Sequence, residues 1–322
     1  MSDGLPPESD WLPPEKADPE KSTGRFEPGE IIANRYEVEK VLGQGGMGIV
    51  YLVWDRRTEQ RLALKTLLPQ YVSNSAAVHR FSREVKTVRQ IDHPGVVKIY
   101  DAWKLGDLLL YTMEYVEGKS LRRLLGKRGR FGFGSTVRIM CLLCHALEQA
   151  HRVAIHRDLS PDNVMITKEG NVKLLDFGLA KLNEPGVQFT RIGVSLGKLQ
   201  YMAPEQRENA AHVDHRADVY SLGVMLFELM AGQVPRPGEK LSDLIPSAPK
   251  ACDDLIAQTM AKDVEERVQT AQEFRIRLME IYEAYQQSKT DTGPPRIAPP
   301  EEKPGFVARI LAVLGRLNPF RK

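Results

Sequence analysis

The sequence predicts an α+β fold in two lobes, a β-rich one followed by a helical one. Three observations predict it. From Tyr36 to about residue 117, apolar and polar residues alternate with the period of two that a half-buried strand requires, around a glycine cluster. Beyond Gly118 the apolar residues recur at helical spacing in long runs such as STVRIMCLLCHALEQAHRV. The chain has 322 residues, 42% hydrophobic and 27% charged, which is enough for two lobes with a real core.

The elements follow in order. Residues 1–30 carry Pro6, Pro7, Pro13, Pro14, Pro19 and Pro28 among acidic residues, a composition that cannot bury enough apolar surface to fold alone, so this segment is expected to be disordered. YEVEKVLGQGGMGIVYLVWD reads as strand, tight loop, strand, and RLALKTLL as a third strand. SAAVHRFSREVKTVRQI has helical spacing with Ser75 as a cap, and VVKIYDAW and LLLYTMEYV are two more strands. Helices follow in the run quoted above, in ADVYSLGVMLFELMAG, in ACDDLIAQTMA and in TAQEFRIRLMEIYEAYQQ. Residues 286–304 form a linker rich in proline and charge. Residues 305–322 predict a basic amphipathic helix: Phe306, Val307, Ile310, Leu311, Val313, Leu314 and Leu317 share one face, with Arg309 and Arg316 on the other. It is too short and too charged to span a bilayer. Three roles stay open for it: lying on an anionic membrane surface, docking on a partner, or folding back on the helical lobe.

The net charge of +3 gives no footprint for a nucleic-acid partner. Three cysteines do not make a disulfide framework and fit a reducing cytosol. Cys141 and Cys144 form a C-x-x-C within an apolar helical pattern, with no second Cys/His pair nearby to complete a zinc site, so they are expected as buried core thiols. The start of the chain has no basic-then-apolar leader, and no apolar run spans a bilayer. The expected location is cytoplasmic, peripheral at a membrane at most.

The chemistry lies in four motifs. In GQGGMG, Gly43, Gly45 and Gly48 make a G-x-G-x-x-G pattern, whose missing Cβ atoms let backbone come close to phosphate. Dinucleotide folds use the same spacing but follow it with a helix; here a strand follows, which favours a hairpin lid, an ordinary turn being the alternative. Lys65, on a buried strand, needs a partner, and Glu84 on the next helix is the natural one. HRDLSPDN supplies Asp158, which can orient a hydroxyl and take its proton, and Asn163, whose oxygen suits Mg²⁺. DFGLA supplies Asp176 as a second hard-oxygen ligand.

In this order and at these spacings the motifs resemble those of the eukaryotic-type protein kinases, in the style of the bacterial serine/threonine branch, over residues 36–285. The resemblance implies a bilobal kinase fold, with an N-lobe at 36–117 and a C-lobe at 118–285, using ATP and Mg²⁺. It implies a nucleotide site lined by Leu42, Gly43, Gln44, Gly45, Gly46, Met47, Gly48, Val50, Ala63, Lys65, Glu114, Val116 and Met165, behind Met113. It implies Lys65, Glu84, Asp158 and Asn163 as catalytic residues, with Asn163 and Asp176 holding the metal. A Glu205–Arg267 ion pair should brace the C-lobe, and Asp218 should anchor the catalytic loop. Pro161 matches kinases that act on Ser and Thr, so the implied partners are proteins with such acceptors. Arg157 before Asp158 implies control by phosphate on the activation segment, where Thr190 and Ser195 are the hydroxyls.

The chain departs from the family at two facing positions. The usual catalytic-loop lysine is Ser160, and the usual threonine after Gly197 is Lys198. The expectation is that the positive charge has moved across the site; the alternative is a solvated Lys198 and a weakened site. Two rivals remain. A pseudokinase scaffold would be damaged at Lys65, Asp158 or Asp176, and all three are intact. A small-molecule phosphotransferase would not be expected to carry the A-P-E segment at 203–205 or Asp218.

Overall fold

The computed structural model describes residues 25–45, 48–67, 75–106, 108–177, 198–208 and 213–290. The first lobe is built on strands β1 (Ile31–Ile32), β2 (Tyr36–Gly45), β3 (Gly48–Asp55) and β4 (Gln60–Leu67), helix α1 (Ser75–Val88), and strands β5 (Ile99–Leu105) and β6 (Leu108–Glu114). The strands form one antiparallel sheet in the order β1-β2-β3-β4-β6-β5. Because side chains alternate across a strand, the predicted pattern divides the sheet into two faces. Ile49, Tyr51, Val53, Leu62, Leu64, Leu108 and Leu110 pack on the outer face with Tyr36 and Trp103. Ala63, Leu67, Leu109, Tyr111 and Met113 face the other way, onto Phe81, Val85 and Val88 of α1, and their core continues into the second lobe.

Residues 1–24 of the segment expected to be disordered lie outside the described residues, and residues 25–30 do not fit that expectation. Phe26 is 7% exposed and packs edge-on against the Tyr51 ring at 5.7 Å, and its backbone N–H donates to the Tyr51 hydroxyl at 3.1 Å. The Gly29 N–H donates to Val38 O at 2.8 Å. One aromatic side chain suffices to dock a short polar segment whose backbone is tied to a strand. Composition averaged over thirty residues hides this.

The second lobe starts with β7 (Gly118–Ser120), α2 (Leu121–Arg128), α3 (Phe133–Ala150), β8 (Val164–Thr167) and β9 (Val172–Leu174). It continues with α4 (Pro204–Glu208), α5 (Arg216–Ala231), α6 (Leu241–Leu244), α7 (Ala251–Thr259) and α8 (Ala271–Thr290). The long runs foreseen as helices are α3, α5, α7 and α8. The shorter α2, α4 and α6 and the β7-β8-β9 sheet lacked the length for a clear period. Helix α5 is buried from Val219 to Met230 on nearly every side, which makes it the axis of the lobe. Arg275 of α8 pairs with Glu148 of α3 at 2.7 Å. Arg267, with its side chain fully buried, grips Glu205 with two bonds at 2.8 and 3.0 Å and also donates to the carbonyls of Ala261 and Arg216. Cys141, Cys144 and Cys252 are buried free thiols, and burial pushes Cys141 and Cys252 up to about 12.

The lobes are stitched together at residues 93–97. The Val97 N–H donates to Leu174 O at 3.0 Å, and the Leu174 N–H donates to Gly95 O at 2.7 Å. Beside this stitch the His93 Nε2 and His145 Nδ1 atoms are 2.7 Å apart. Helix α8 continues to Thr290, so the first five residues of the expected 286–304 linker are helical instead, prolonging a run that holds no helix-breaking Gly or Pro; the rest of that linker and the whole of 305–322 lie outside the described residues. Among the described residues no helix is long and apolar enough to cross a membrane.

The docked segment gives a first expectation. Phe26→Ala should cost about 3–5 kcal/mol in denaturant unfolding, the range for a buried aromatic truncated to alanine. Removing residues 1–30, and with them Phe26, should lower the melting temperature.

Candidate active site

Strand parity sets one wall of the site. Lys65 on β4 lies opposite Val50 on β3 and Tyr111 on β6, and Ala63 lies opposite Met113. Paired positions share a face, so Val50, Ala63, Lys65, Tyr111 and Met113 all look into the cleft between the lobes. The Lys65 side chain is 12% exposed, which demands a counter-charge. Its ammonium donates to Asp176 Oδ2 at 2.7 Å. Among the described residues this pair, and not the expected one with Glu84, satisfies Lys65; Glu84 stands half-buried on α1. A desolvated ammonium takes the nearest carboxylate, and the one after β9 is nearer than the one on the helix.

The opposite wall is the loop before β8. Asp218, 1% exposed near the start of α5, fixes its shape. Its carboxylate accepts the backbone N–H groups of His156 and Arg157, both at 2.8 Å, and lies 2.9 Å from His151 Nε2. Burial would raise the Asp218 pKa, but the His151 hydrogen bond and charge and the His156 backbone donor outweigh burial and hold it below the usual carboxylate value. The loop it secures includes Arg157 at φ 60°, a left-handed position that a side chain adopts only under constraint.

That loop delivers Asp158, whose Oδ2 accepts from Asn163 Nδ2 at 2.9 Å and from Lys198 Nζ at 2.8 Å. Lys198 comes from the far wall, on a short 3₁₀ turn over Lys198–Tyr201. Burial would lower its pKa, but Asp158, through charge and hydrogen bond, and then Asp176 and Asp162 raise it, so the ammonium stays charged. Ser160 is 1% exposed, its hydroxyl is neutral and has no hydrogen-bond partner among the described residues, so it brings no charge to the site. The ammonium on the Asp158 carboxylate is that of Lys198.

Asn163 and Asp176 were expected to hold a divalent cation. The Asn163 amide nitrogen is committed to Asp158 O and Oδ2, at 2.7 and 2.9 Å, which leaves its oxygen as the ligand atom. Burial would raise the Asp176 pKa; the charge and hydrogen bond of Lys65, the Tyr111 hydrogen bond and the charge of Lys198 outweigh it and keep the group ionised. The Leu175 N–H donates to Asn163 O at 2.8 Å, which ties the two ligand segments together. Two hard oxygens held this way suit Mg²⁺, which keeps waters and shares phosphate oxygens rather than filling a protein cage.

The nucleotide-side residues also line the cleft. Gly43 and Gly45 are exposed, and a Cβ on either would meet nothing within 4 Å, so open space lies where a phosphate would approach. Gly48 has a different role: a Cβ there would stand 1.7 Å from Thr66 O, so glycine is what lets β3 close on β4. Leu42 and Gln44 are exposed on β2, Val50, Val116 and Met165 are half-buried, and Ala63 and Met113 are buried behind them. The Glu114 N–H donates to Lys98 O at 2.9 Å, so its backbone can offer a ligand only a carbonyl, while its carboxylate pairs with Lys173 at 2.6 Å. Gly46, Met47, Gly197 and the candidate phosphosites Thr190 and Ser195 lie outside the described residues.

Two features were missed in the sequence. Tyr111 donates its hydroxyl to Asp176 Oδ1 at 2.8 Å. Arg122 of α2 donates to Asp162 Oδ2 at 3.1 Å, to Glu228 Oε1 at 2.6 Å and to the Tyr201 hydroxyl at 2.5 Å, and the Tyr201 hydroxyl in turn donates to Glu228. The only signals were a phenol in an apolar strand and a glutamate in an apolar helix, each of which must find a polar partner once buried.

Comparison with known proteins agrees with this geometry. A family model described as a protein kinase domain matches residues 36–281. The serine/threonine-protein kinase PrkC of Bacillus subtilis is 32% identical over 272 residues, which cover 80% of this chain and 42% of that protein. A probable serine/threonine-protein kinase of Clostridium perfringens is 34% identical over 261 residues, 76% of this chain and 38% of that protein. The chain thus spans about two fifths of the length of these relatives. The crystal structure of the Mycobacterium tuberculosis PknI kinase domain superposes with a TM-score of 0.68 at 28% identity, covering 80% of this chain and all of that one.

The loop geometry makes a prediction for His156. Its Nε2 lies 2.7 Å from Leu175 O, to which it donates, and its Nδ1 accepts the Asp158 N–H at 3.2 Å. Burial, the largest influence, lowers its pKa below 6.5. A proton added at Nδ1 would break the bond that positions Asp158. The unfolded chain binds that proton more readily, so stability should be fullest above about pH 6.5 and decline as pH falls through and below that value. NMR should find His156 neutral with its proton on Nε2 from pH 7.5 down to the onset of unfolding. Protonation near pH 6.5 in the folded protein would contradict this.

Proposed function

The chain belongs to the protein kinase family, and from that membership we propose that it transfers the γ-phosphoryl group of ATP to Ser or Thr hydroxyls of proteins. One observation above all supports the reading: Asp158 is held by Asn163 and Lys198, and Asp176 is held by Lys65, which reaches it from the sheet of the other lobe. Asp158 would accept the hydrogen bond of the acceptor hydroxyl and orient it. Asn163 and Asp176 would hold Mg²⁺, which when bound supplies charge neutralisation at the phosphates. Lys65 would pair with the nucleotide phosphates. With a largely dissociative transition state, positioning and charge are most of what the protein must provide. Glu84 would pair with Lys65 only after α1 or the lysine shifts, since the resting pair is Lys65–Asp176.

Thr190 is the proposed autophosphorylation site, with Ser195 second; phosphate there would pair with Arg157, whose Nε is buried with no hydrogen-bond partner among the described residues. Residues 305–322 remain a proposed contact with a membrane surface or with the kinase lobe, and the partners proposed are protein substrates, not nucleic acid.

A radiolabelled-ATP assay on a generic protein substrate tests the activity. Wild-type protein should incorporate label into Ser and Thr, and Asp158→Ala should lose it.

Lys198 is proposed to do the work of the absent catalytic-loop lysine. Lys198→Ala should lower kcat about 10- to 1,000-fold with little change in the KM for ATP, as for one charged contact strengthened in the transition state. Ser160→Lys combined with Lys198→Thr should recover part of the loss. Ser160→Lys alone should not improve the enzyme, since two ammonium groups would crowd one carboxylate. Wild-type turnover in folded, ATP-binding Lys198→Ala would end the proposal.

A further inference from the structure

Tyr111 lies outside every motif, yet its hydroxyl meets the metal-site carboxylate. The residue is 1% exposed, and its ring packs 6.0 Å from Phe81 of α1. Strand pairing sets it directly beside Lys65, with the Lys65 ammonium 5.9 Å from the centre of the ring. The two side chains close on Asp176 together: Lys65 Nζ donates to Oδ2 at 2.7 Å and the Tyr111 hydroxyl donates to Oδ1 at 2.8 Å. Each carboxylate oxygen is thus held by its own donor from the sheet of the other lobe. Asp176 itself sits at φ 45°, and Phe177 after it is buried with its ring 4.8 Å from that of His156. With Phe177 pinned, any adjustment to a metal falls on the Asp176 side chain and on its two donors.

We propose that Tyr111 is a positioning residue for Asp176: with Lys65 it holds the carboxylate in a metal-free resting arrangement, and a magnesium-bound nucleotide has to draw Asp176 out of this two-donor grip. The inference rests on the reading of Asp176 as a metal ligand. A carboxylate that offers an oxygen to Mg²⁺ must give up or share a hydrogen bond, and here both oxygens are engaged. Lys65 has an alternative partner in the incoming phosphates, so its release is compensated. The phenol, buried in the sheet, has no such replacement, and its bond sets the threshold for metal entry. Phenylalanine at this position keeps the ring against Phe81 and deletes the one bond.

The test follows the Mg²⁺ dependence of binding of a fluorescent ATP analogue to full-length protein, with no turnover measured. Tyr111→Phe should lower the Mg²⁺ concentration at half-saturation by about tenfold, the effect of removing one hydrogen bond to a charged group. Tyr111→Met serves the same purpose if the phenylalanine variant does not fold. A midpoint unchanged or raised in a folded variant overturns the inference: unchanged would mean the hydroxyl is only structural, and raised would mean that it prepares Asp176 for the metal. A purely structural loss would reduce the melting temperature without moving the midpoint. Asp176→Asn separates the underlying reading. If it leaves the Mg²⁺ dependence intact, Asp176 is not the ligand. If it abolishes the dependence while Tyr111→Phe has no effect, only the role of Tyr111 falls.

Discussion

The catalytic wall depends on one buried carboxylate. Asp218 sits at 1% exposure where an isolated charge would be very costly, and it is tolerable because two backbone donors and an imidazole surround it. In return it dictates the path of the loop from His156 to Asp158. That path includes a left-handed Arg157, a conformation that costs roughly 1–2 kcal/mol for a residue with a side chain. The strain is sustained because the two N–H groups it aims at Asp218 have no better acceptor. His156 then carries the constraint onward, taking the Asp158 N–H with one nitrogen and reaching Leu175 O with the other, so the acceptor-side aspartate and the metal-side segment are set by the same anchor. The ion pair between Glu205 and Arg267 plays the corresponding part on the far side, since Arg267 also donates to a carbonyl at the start of α5, at Arg216.

The other wall depends on parity. Because β3, β4 and β6 pair in unbroken register, Val50, Ala63, Lys65, Tyr111 and Met113 must look into the cleft, and a one-residue slip would turn all of them away from it. The glycine at 48 is where this register closes, with Thr66 O filling the place of a Cβ. The sheet side of the nucleotide site is thus assembled from paired strands, with Val116 added by the short connection between β6 and β7.

The sequence revealed the strands and long helices because their periods were clear, and it revealed Lys65, Asp158, Asn163 and Asp176 because spacing and order make them hard to meet by chance. It also pointed to Lys198, since losing one charge and gaining another at facing positions is visible in letters alone. What it concealed were pairings. Glu84 was assigned to Lys65 by analogy of position, but which carboxylate an ammonium takes depends on the placement of α1, and no pattern in the chain encodes that. Phe26 was lost in a proline-rich average. Tyr111 reads as one more apolar strand residue, and Arg122 as one more solvated base, until the fold sets a carboxylate opposite each.

Charge explains why this cleft would need a cation at all. Asp158 is matched by Lys198 and Asp176 by Lys65, while Arg122 is shared between Asp162 and Glu228, so each of these cations is already engaged by a carboxylate. Cations engaged in this way offer little surplus field to a strongly anionic triphosphate. Drawing Lys65 onto the phosphates strips Asp176 of its counter-charge at the moment more negative charge arrives, and in a partly desolvated cleft that imbalance would be severe. A divalent ion between Asp176, Asn163 and the phosphates cancels both at once. Lys198 would meet the same requirement on the acceptor side: with Ser160 uncharged, an unmatched Asp158 would repel an incoming phosphoryl group, and the ammonium 2.8 Å from its carboxylate offsets that repulsion.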